Sequence, residues 1–142
     1  MTVSGVIWRG PEANMRLIAA LRMRVKRVCF LLEADIKSSM KMGGRSATGK
    51  KEEGVKLKKT GSFRSKPGEV PRVQTGTLKR SITTELHEVL PTGRVGSNVE
   101  YARALELGYA PRNLSPRPFL RPATLRVEPL AKSIFAERID GM

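Results

Sequence analysis

One long helical pattern in the first third of the chain constrains the fold more than any other feature. Apolar residues recur there at steps of three and four, which predicts a single helix with a continuous apolar stripe. The stripe comprises Met15, Ile18, Leu21, Val25, Val28, Leu32 and Ile36. Pro11 and Glu12 suit the first turn, and the pair Gly43-Gly44, after Met40 and Met42, predicts the end. About thirty residues at about 1.5 Å each span about 45 Å, more than one small domain needs, so we expect part of the stripe to pack on another subunit.

The opposite face of this helix is basic and contains Arg16, Arg22, Arg24, Lys26 and Arg27. A solvated surface is the simplest interpretation, and a surface for DNA or a partner protein is the alternative. The whole chain has 27 Lys and Arg against 13 Asp and Glu, a formal charge of +14, which favours attraction to polyanions. Aromatic residues make up only 5% of the chain, so stacking on single-stranded bases has weak support.

The length of 142 residues suits one domain, and we expect residues 1–142 to form it. Cys29 is the only cysteine, so neither a disulfide framework nor a thiolate metal site can form within one chain, which suits a reducing cytoplasm. No segment reaches the 18 or so apolar residues that a membrane-spanning helix needs, and the first residues lack a signal-peptide pattern. We therefore expect a soluble protein with no membrane contact.

Two segments flank the long helix. Residues 3–8 are apolar and β-branched, which predicts an edge strand. Residues 43–72 have few large apolar side chains and many cations, so we expect an extended basic loop or arm that orders only against a partner. Its candidate interface residues are Arg45, Lys50, Lys51, Lys56, Lys58, Lys59 and Arg64. Residues 44–51, GRSATGKK, resemble a phosphate-binding loop, but Lys51 replaces the hydroxyl residue that binds magnesium, so no nucleotide site is expected.

The middle of the chain predicts a hairpin. Thr75 is suited to cap a short turn over residues 77–80, and residues 81–89 then alternate, which predicts a half-buried strand. Ile82, Thr84 and Leu86 share one side of that strand. A turn over residues 90–93 and a second strand over 94–97 complete an antiparallel pair. His87, the only histidine, lies on the outward side without carboxylates at ligand spacing, so we expect no metal site.

A short helix is predicted after the hairpin. Asn98 is a suitable N-cap for a helix over Glu100–Leu107, and Gly108 suits its C-terminal end. Tyr101 and Leu105 lie one turn apart and are expected to face the sheet. Glu106 is expected to form an ion pair with Arg117, since a carboxylate in a largely apolar helix favours a cation; a solvated Glu106 is the alternative.

The last third is predicted to be extended first and helical later. Residues 111–122 contain four prolines and three arginines, and Phe119 and Leu120 are expected to point into the core from an extended segment. Because Pro129 would break a helix begun at Pro122, the final helix is predicted from about Glu128 to Gly141. Together these elements predict an α+β fold. In it a small, mainly antiparallel sheet is packed by a long N-terminal helix, a short middle helix and a C-terminal helix, with a long basic loop.

Function has to be sought in shape and assembly, because no segment gathers the nucleophiles, bases or metal ligands of an active site. We therefore expect no enzyme and no cofactor. Residues 66–122 contain a series of short motifs whose order and spacing are distinctive, although each is weak alone. They are Pro67, Gly68, Thr75, Gly76, Leu78, Ser81, Ile82, Gly96, Tyr101, Ala102, Glu106, Gly108, Arg117, Pro118, Phe119, Leu120 and Pro122.

With these motifs the chain resembles the siphophage minor structural family of head–tail joining, neck or tail-completion proteins, which includes tail terminators. The resemblance implies a non-enzymatic virion protein that forms a ring, expected to be a hexamer, where the DNA-filled head meets the tail. It implies as partners further copies of the chain, an adjoining neck or connector protein and the tail tube protein. The implied location is the virion neck, and the host cytoplasm during assembly. Nonspecific DNA contact stays open. The alternative is a basic DNA-binding protein that uses residues 43–72 and the basic helix face.

Overall fold

The computed structural model describes residues 10–40 and 65–137. Its elements are α1 (Gly10–Ser39), α2 (Thr77–Ser81), β1 (Ile82–Leu86), β2 (Gly93–Ser97), α3 (Glu100–Leu107), a 3-10 turn (Ala110–Arg112) and α4 (Leu120–Ala136). These elements confirm the predicted α+β fold with a long first helix, a short middle helix and a C-terminal helix. The predicted strand over residues 3–8, the loop cations at 45–64 and Gly141 lie outside the described residues.

The long helical pattern forms α1 as predicted, with Glu12 in the first turn and Lys37 in the last, where each charge complements the helix dipole. The helix ends at Ser39, and Met40 follows it in a bend with its side chain buried. Glu33 connects α1 to β1, because its carboxylate accepts a 2.5 Å hydrogen bond from the Thr84 hydroxyl and a 2.6 Å bond from Lys37. The hydrogen bonds from Lys37 and then Thr84 lower the pKa of Glu33 below its ordinary value.

The predicted antiparallel hairpin is also confirmed, although its first strand ends at Leu86 and not at residue 89. β1 and β2 pair antiparallel, with Ile82 opposite Ser97 at one end and Leu86 opposite Gly93 at the other. Burial falls along β1, since Ile82 is fully buried and Leu86 is exposed. The base of the hairpin therefore lies in the core and its turn lies at the surface.

The core forms where four helices and strands meet. Its largest fully buried side chains are Phe119, Ile36, Met40 and Ile82, and Ala102 and Ala123 complete the cluster. The small alanines allow α3 and α4 to approach the larger side chains closely. As predicted, Phe119 points into the core, with Leu120 packed partly buried beside it.

The start of the last helix differs from the prediction. α4 begins at Leu120, not near Glu128, and it contains Pro129 in its interior. A proline there removes one backbone hydrogen bond and costs about 3 kcal/mol. The helix nevertheless continues because Ala123, Val127 and Ile134 form a buried face, and α4 packs along α1. It ends at Ala136, before the predicted stop.

Two local predictions around α3 are wrong, although its bounds are as predicted. The N-cap position is Val99 and carries no side-chain cap, so Asn98 lies one residue too early for that role. Tyr101 is 45% exposed and does not pack under the sheet. The buried face of α3 is centred on Ala102, with Leu105 partly buried on the same core, and the neighbouring position 101 points about 100° away.

Candidate assembly interface

A cleft of about 370 Å³ lies between residues 71–79, α3 and the segment before α4. We call it the motif cleft, because motif residues of the sequence line it: Thr75, Gly76, Leu78, Tyr101 and Arg117. Other lining residues include Met40, Arg72, Val73, Lys79, Leu105 and Leu114. The described lining therefore combines apolar side chains with three cations and has no carboxylate.

The segment of residues 66–79, part of which lines the motif cleft, contains two glycines with left-handed φ. Gly68 and Gly76 both have φ of 79°, which L side chains rarely adopt. The Gly68 N–H donates to the Pro116 carbonyl at 2.9 Å, which ties the turn at residues 66–69 to the segment before α4. A Cβ at Gly76 would lie 2.9 Å from the Arg80 guanidinium, which itself donates to the Thr75 carbonyl. Backbone conformation therefore explains both motif glycines, and at Gly76 the close approach of Arg80 is a second reason.

The N-cap of α2 is Gly76 and has no side-chain cap, so Thr75 lies one residue before the capping position that the sequence predicts for it. The Thr77 N–H donates to the Thr75 hydroxyl at 3.4 Å, and the two threonine hydroxyls lie 2.9 Å apart. The Arg80 N–H donates to the Gly76 carbonyl at 2.9 Å and completes the first turn of α2. The predicted turn is thus a short helix that leads directly into β1.

On the other side of the motif cleft, the path of the chain from α3 to Leu114 depends on Gly108. Its φ of 81° and ψ of 168° lie outside the left-handed helical conformation that the sequence pattern predicts. A Cβ there would lie 3.0 Å from the Leu114 carbonyl oxygen and 3.2 Å from Pro116. Tyr109 and Leu114 exchange backbone hydrogen bonds of 2.9 and 3.1 Å, so the returning chain passes close to this glycine. Backbone conformation and close approach together require glycine here.

Glu106 has a different partner from the predicted one. Its Oε2 accepts the backbone N–H groups of Phe119 at 2.7 Å and Leu120 at 3.0 Å, and its Oε1 accepts that of Arg121 at 2.9 Å. No salt bridge joins it to Arg117 among the described residues. The exposed N–H groups and positive dipole of the α4 N-terminus replace the expected cation. Glu106 therefore caps α4 from another helix.

Arg117 instead belongs to the motif cleft. Its backbone N–H donates to the Leu105 carbonyl at 2.6 Å, which holds the segment before α4 against α3. Its Nε is buried and has no hydrogen-bond partner among the described residues. A buried donor without an acceptor costs about 1–3 kcal/mol, so the segment before α4 carries this cost within the described structure.

The motif residues outside the cleft support the fold. Ile82, Ala102 and Phe119 lie in the core, and Pro118, Leu120 and Pro122 surround the start of α4. The Ser81 hydroxyl lies 2.7 Å from that of Ser97 and joins the two strands at the base of the hairpin. Around Gly96 a Cβ would meet nothing within 4 Å in the part of the chain that the structure describes, so no described contact explains this glycine.

The other end of α4 is capped from α1, a contact that sequence reasoning missed. Arg24 donates to the Phe135 carbonyl at 3.1 Å and to the Glu137 carbonyl, and Arg27 lies 3.4 Å from the Glu137 carboxylate. Further along, Arg126 forms a two-pronged ion pair with Asp35, the closest distance being 2.6 Å. A cation near a helix C-terminus can be recognised when it belongs to the same helix. Arg24 and Arg27, however, lie more than a hundred residues before the end of α4.

Among the described residues, nothing covers the first half of α1 to the same extent. We call residues 10–23 the bare half and residues 24–39 the covered half. Ile18 lies on the same face as Ile36, five turns earlier, yet it is 43% exposed while Ile36 is fully buried. Met15 and Met23 are exposed as well. The apolar stripe therefore extends beyond the core, as its length predicts.

The boundary between the halves lies where β2 meets α1. A Cβ at Gly93 would lie 2.6 Å from the Cys29 Sγ and 3.3 Å from Val25. Burial of Cys29 in this contact raises the pKa of its thiol. Before this point, a groove of about 340 Å³ separates α1 from the turn of the hairpin and is lined by Met23, Leu86 and Leu90, with others.

The basic face of α1 is partly occupied. Arg24 and Arg27 bind the end of α4, and Lys26 lies over the Phe30 ring at 5.9 Å. Arg16 and Arg22 form no ion pair with a carboxylate of the described residues. His87 is also locally engaged, since its Nδ1 accepts the N–H groups of Val89 and Leu90.

Within residues 10–40 and 65–137, no group of three or more His, Cys, Asp or Glu side chains is placed to hold a metal ion. None of the described helices is long and apolar enough to cross a bilayer. Comparison with protein-family models, curated protein sequences and solved structures finds no match to this chain. Its function therefore has to be argued from the surfaces described above.

Proposed function

We propose that this protein is a non-enzymatic structural subunit of a tailed-phage neck. It forms a ring that completes the tail and joins it to the DNA-filled head. The observation that carries the proposal is the apolar stripe on the bare half of α1, where Met15 and Ile18 are not covered by the described residues. A soluble subunit with such a face gains stability when another chain covers it, at roughly 25 cal/mol per Å² of apolar area.

The motif resemblance gives the proposal its specific form. Residues that carry the resemblance, such as Gly76, Tyr101 and Arg117, lie around one cleft, well separated in sequence. A ring subunit contacts its two neighbours through two different surfaces, and both must fit for the ring to close. The motif cleft is one surface of this kind, and the bare half of α1 is a separate apolar face available to an adjoining chain.

Electron microscopy of particles assembled with and without the protein tests this role. The expected result is a ring of the protein at the junction in complete particles. Without the protein, filled heads and unattached tails should accumulate. Strictly monomeric protein that is also absent from assembled particles would contradict the proposal. Monomers in solution alone would not, because some rings close only on their docking partner.

The second candidate is a basic DNA-binding protein, favoured by the formal charge of +14. Binding through residues 43–72 and the basic face of α1 would weaken steeply with salt, in proportion to the number of phosphates neutralised. Deletion of residues 43–72 separates the two candidates. The neck role predicts a larger loss of assembly than of DNA retention, and the DNA-binding role predicts the reverse.

A further inference from the structure

The end of the hairpin carries acidic and apolar side chains that are exposed to solvent. Residues 85–90, which we call the hairpin tip, are all exposed. Val89 is 68% exposed and Leu90 53%, and Leu86 is exposed beside them. Large apolar side chains at successive exposed positions are typical of a contact surface.

The carboxylates of the hairpin tip are also unusual in having no partner. Most acidic side chains in the described residues bind a cation or a backbone N–H. The four without such a partner are Glu12, Glu85, Glu88 and Glu100. Glu12 and Glu100 lie in the first turns of α1 and α3, where the helix dipole stabilises a negative charge. Glu85 and Glu88 have no such local role.

The motif cleft has the complementary chemistry. Its described lining provides the cations Lys79 and Arg117 beside apolar Leu78, Tyr101 and Leu105, without a carboxylate. The guanidinium of Arg117 lies in this lining and has no carboxylate partner among the described residues, and a carboxylate is its favoured partner. The hairpin tip offers exposed carboxylates that have no partner among the described residues, next to the exposed apolar side chains of Val89 and Leu90.

The positions of the two surfaces exclude a contact within one subunit. α2, which lines the motif cleft, leads directly into the base of the hairpin, where Ile82 pairs with Ser97. The hairpin tip lies at the opposite end of the strands, five residues or about 17 Å away. A copy of the chain can therefore present its tip to one neighbour and its cleft to the other.

We propose that the hairpin tip of one subunit binds in the motif cleft of the next, in a repeated head-to-tail contact. The inference rests on the proposed ring and names the surfaces that close it. Glu88 and Val89 are central to this contact, because Arg94 lies across the strands from Glu85 and Leu90 also lines the groove beside α1. A head-to-tail contact closes into a ring when its rotation divides a full turn.

Charge reversal at the tip is the first test. Glu88→Lys places a cation against Lys79 and Arg117 and is expected to weaken self-association at least about tenfold, measured by sedimentation velocity. Glu128→Lys makes the same charge change on α4, outside both surfaces, and should assemble like the wild type. The double variant Glu88→Lys with Lys79→Glu should recover part of the loss. Thermal unfolding of each variant checks that the fold is intact.

A mixing experiment tests the direction of the contact. The tip variant Glu88→Ala with Val89→Ser keeps a functional cleft, and the cleft variant Lys79→Glu with Tyr101→Ala keeps a functional tip. The two altered surfaces have no complementary charges, so they should not bind each other. Each alone should remain monomeric where the wild type assembles, and a mixture should form a one-to-one dimer that grows no further, detected by native mass spectrometry. Absence of the mixed dimer, or wild-type assembly of either variant, would overturn the inference.

The outcomes separate the inference from the proposed function. If the wild type forms rings and the variants do too, the tip and cleft do not form the contact but the ring remains. If the purified wild type is monomeric yet present in particles, incorporation of Glu88→Lys into particles replaces self-association as the readout and should be lost. A wild type absent from both rings and particles would overturn both.

Discussion

The two halves of α1 have the same pattern and opposite surroundings. The covered half packs against α4 and the hairpin, and it is anchored by Glu33 to β1 and by Asp35 to Arg126. The bare half repeats the apolar stripe, but Ile18 and Met15 remain exposed. The difference shows that sequence pattern specifies which face of a helix is apolar, and tertiary structure determines how much of that face one subunit can cover.

The matched isoleucines of α1 give the largest expected contrast. Ile36→Ala removes a fully buried side chain and should lower the free energy of unfolding by about 2–5 kcal/mol. Ile18→Ala, on the same face, should cost less than about 1 kcal/mol in dilute monomer because its site is already exposed. Urea unfolding of both variants measures the difference. Equal losses in the monomer would mean that the bare half is covered by its own subunit.

The cover over α1 depends on α4, whose start depends on Glu106. Glu106→Ala leaves three backbone N–H groups without their acceptor and should cost about 2–3 kcal/mol. Glu106→Gln keeps an acceptor oxygen and should cost about half as much. Glu100→Ala, on the exposed side of the same helix, is the control and should change stability by no more than about 0.5 kcal/mol. Thermal unfolding followed by circular dichroism ranks the three. A Glu106→Ala variant as stable as the control would remove the capping role.

Two glycines of β2 test the contact between β2 and α1 at the boundary between the two halves. Gly93→Ala places a methyl group 2.6 Å from the Cys29 Sγ, and this overpacking should cost about 1–3 kcal/mol. Gly96→Ala, three residues along the same strand, meets nothing within 4 Å and should be nearly neutral in the monomer. Chemical denaturation distinguishes them. If the order is reversed, the contact between β2 and α1 is not the tight one described.

The smallest effect concerns pH and the polar anchor of the covered half. Because the fold lowers the pKa of Glu33, the unfolded chain holds this proton more tightly than the folded one. The stabilisation is therefore full above the ordinary value of 4.5 and is lost as the pH falls through the lower pKa of the folded state. Glu33→Gln should cost about 1 kcal/mol at pH 7 and should flatten the decline in stability below pH 4.5. An unchanged decline in the Glu33→Gln variant would contradict this role of Glu33.

Local patterns predicted the parts of the fold that neighbouring residues determine. The period of α1, the alternation and turn of the hairpin and the bounds of α3 are all visible within windows of a few turns. The start of α4 was missed because Pro129 indicates a helix break, whereas packing of Val127 and Ile134 on α1 outweighs that cost. The motif glycines were visible in the sequence, but the contacts that require them at positions 76 and 108 were not.

The partners of charged side chains were the least predictable. Glu106 binds backbone N–H groups at the start of α4, which the sequence pattern did not place correctly. Arg24 binds a backbone carbonyl at the end of α4, which is distant in sequence. Such bonds depend on where two elements meet, and no spacing rule within one element reports them. The motif cleft was missed for the same reason, since its lining combines residues 71–79, α3 and Arg117.

The position of Cys29 has a practical consequence for following assembly. The thiol of Cys29 is buried where α1 packs against Gly93, and its raised pKa leaves little reactive thiolate at neutral pH. A cysteine introduced at the surface, for example in place of Thr92, would accept a maleimide dye far faster. A fluorescent reporter can thus be attached to one chosen point without first deleting the native sulfur.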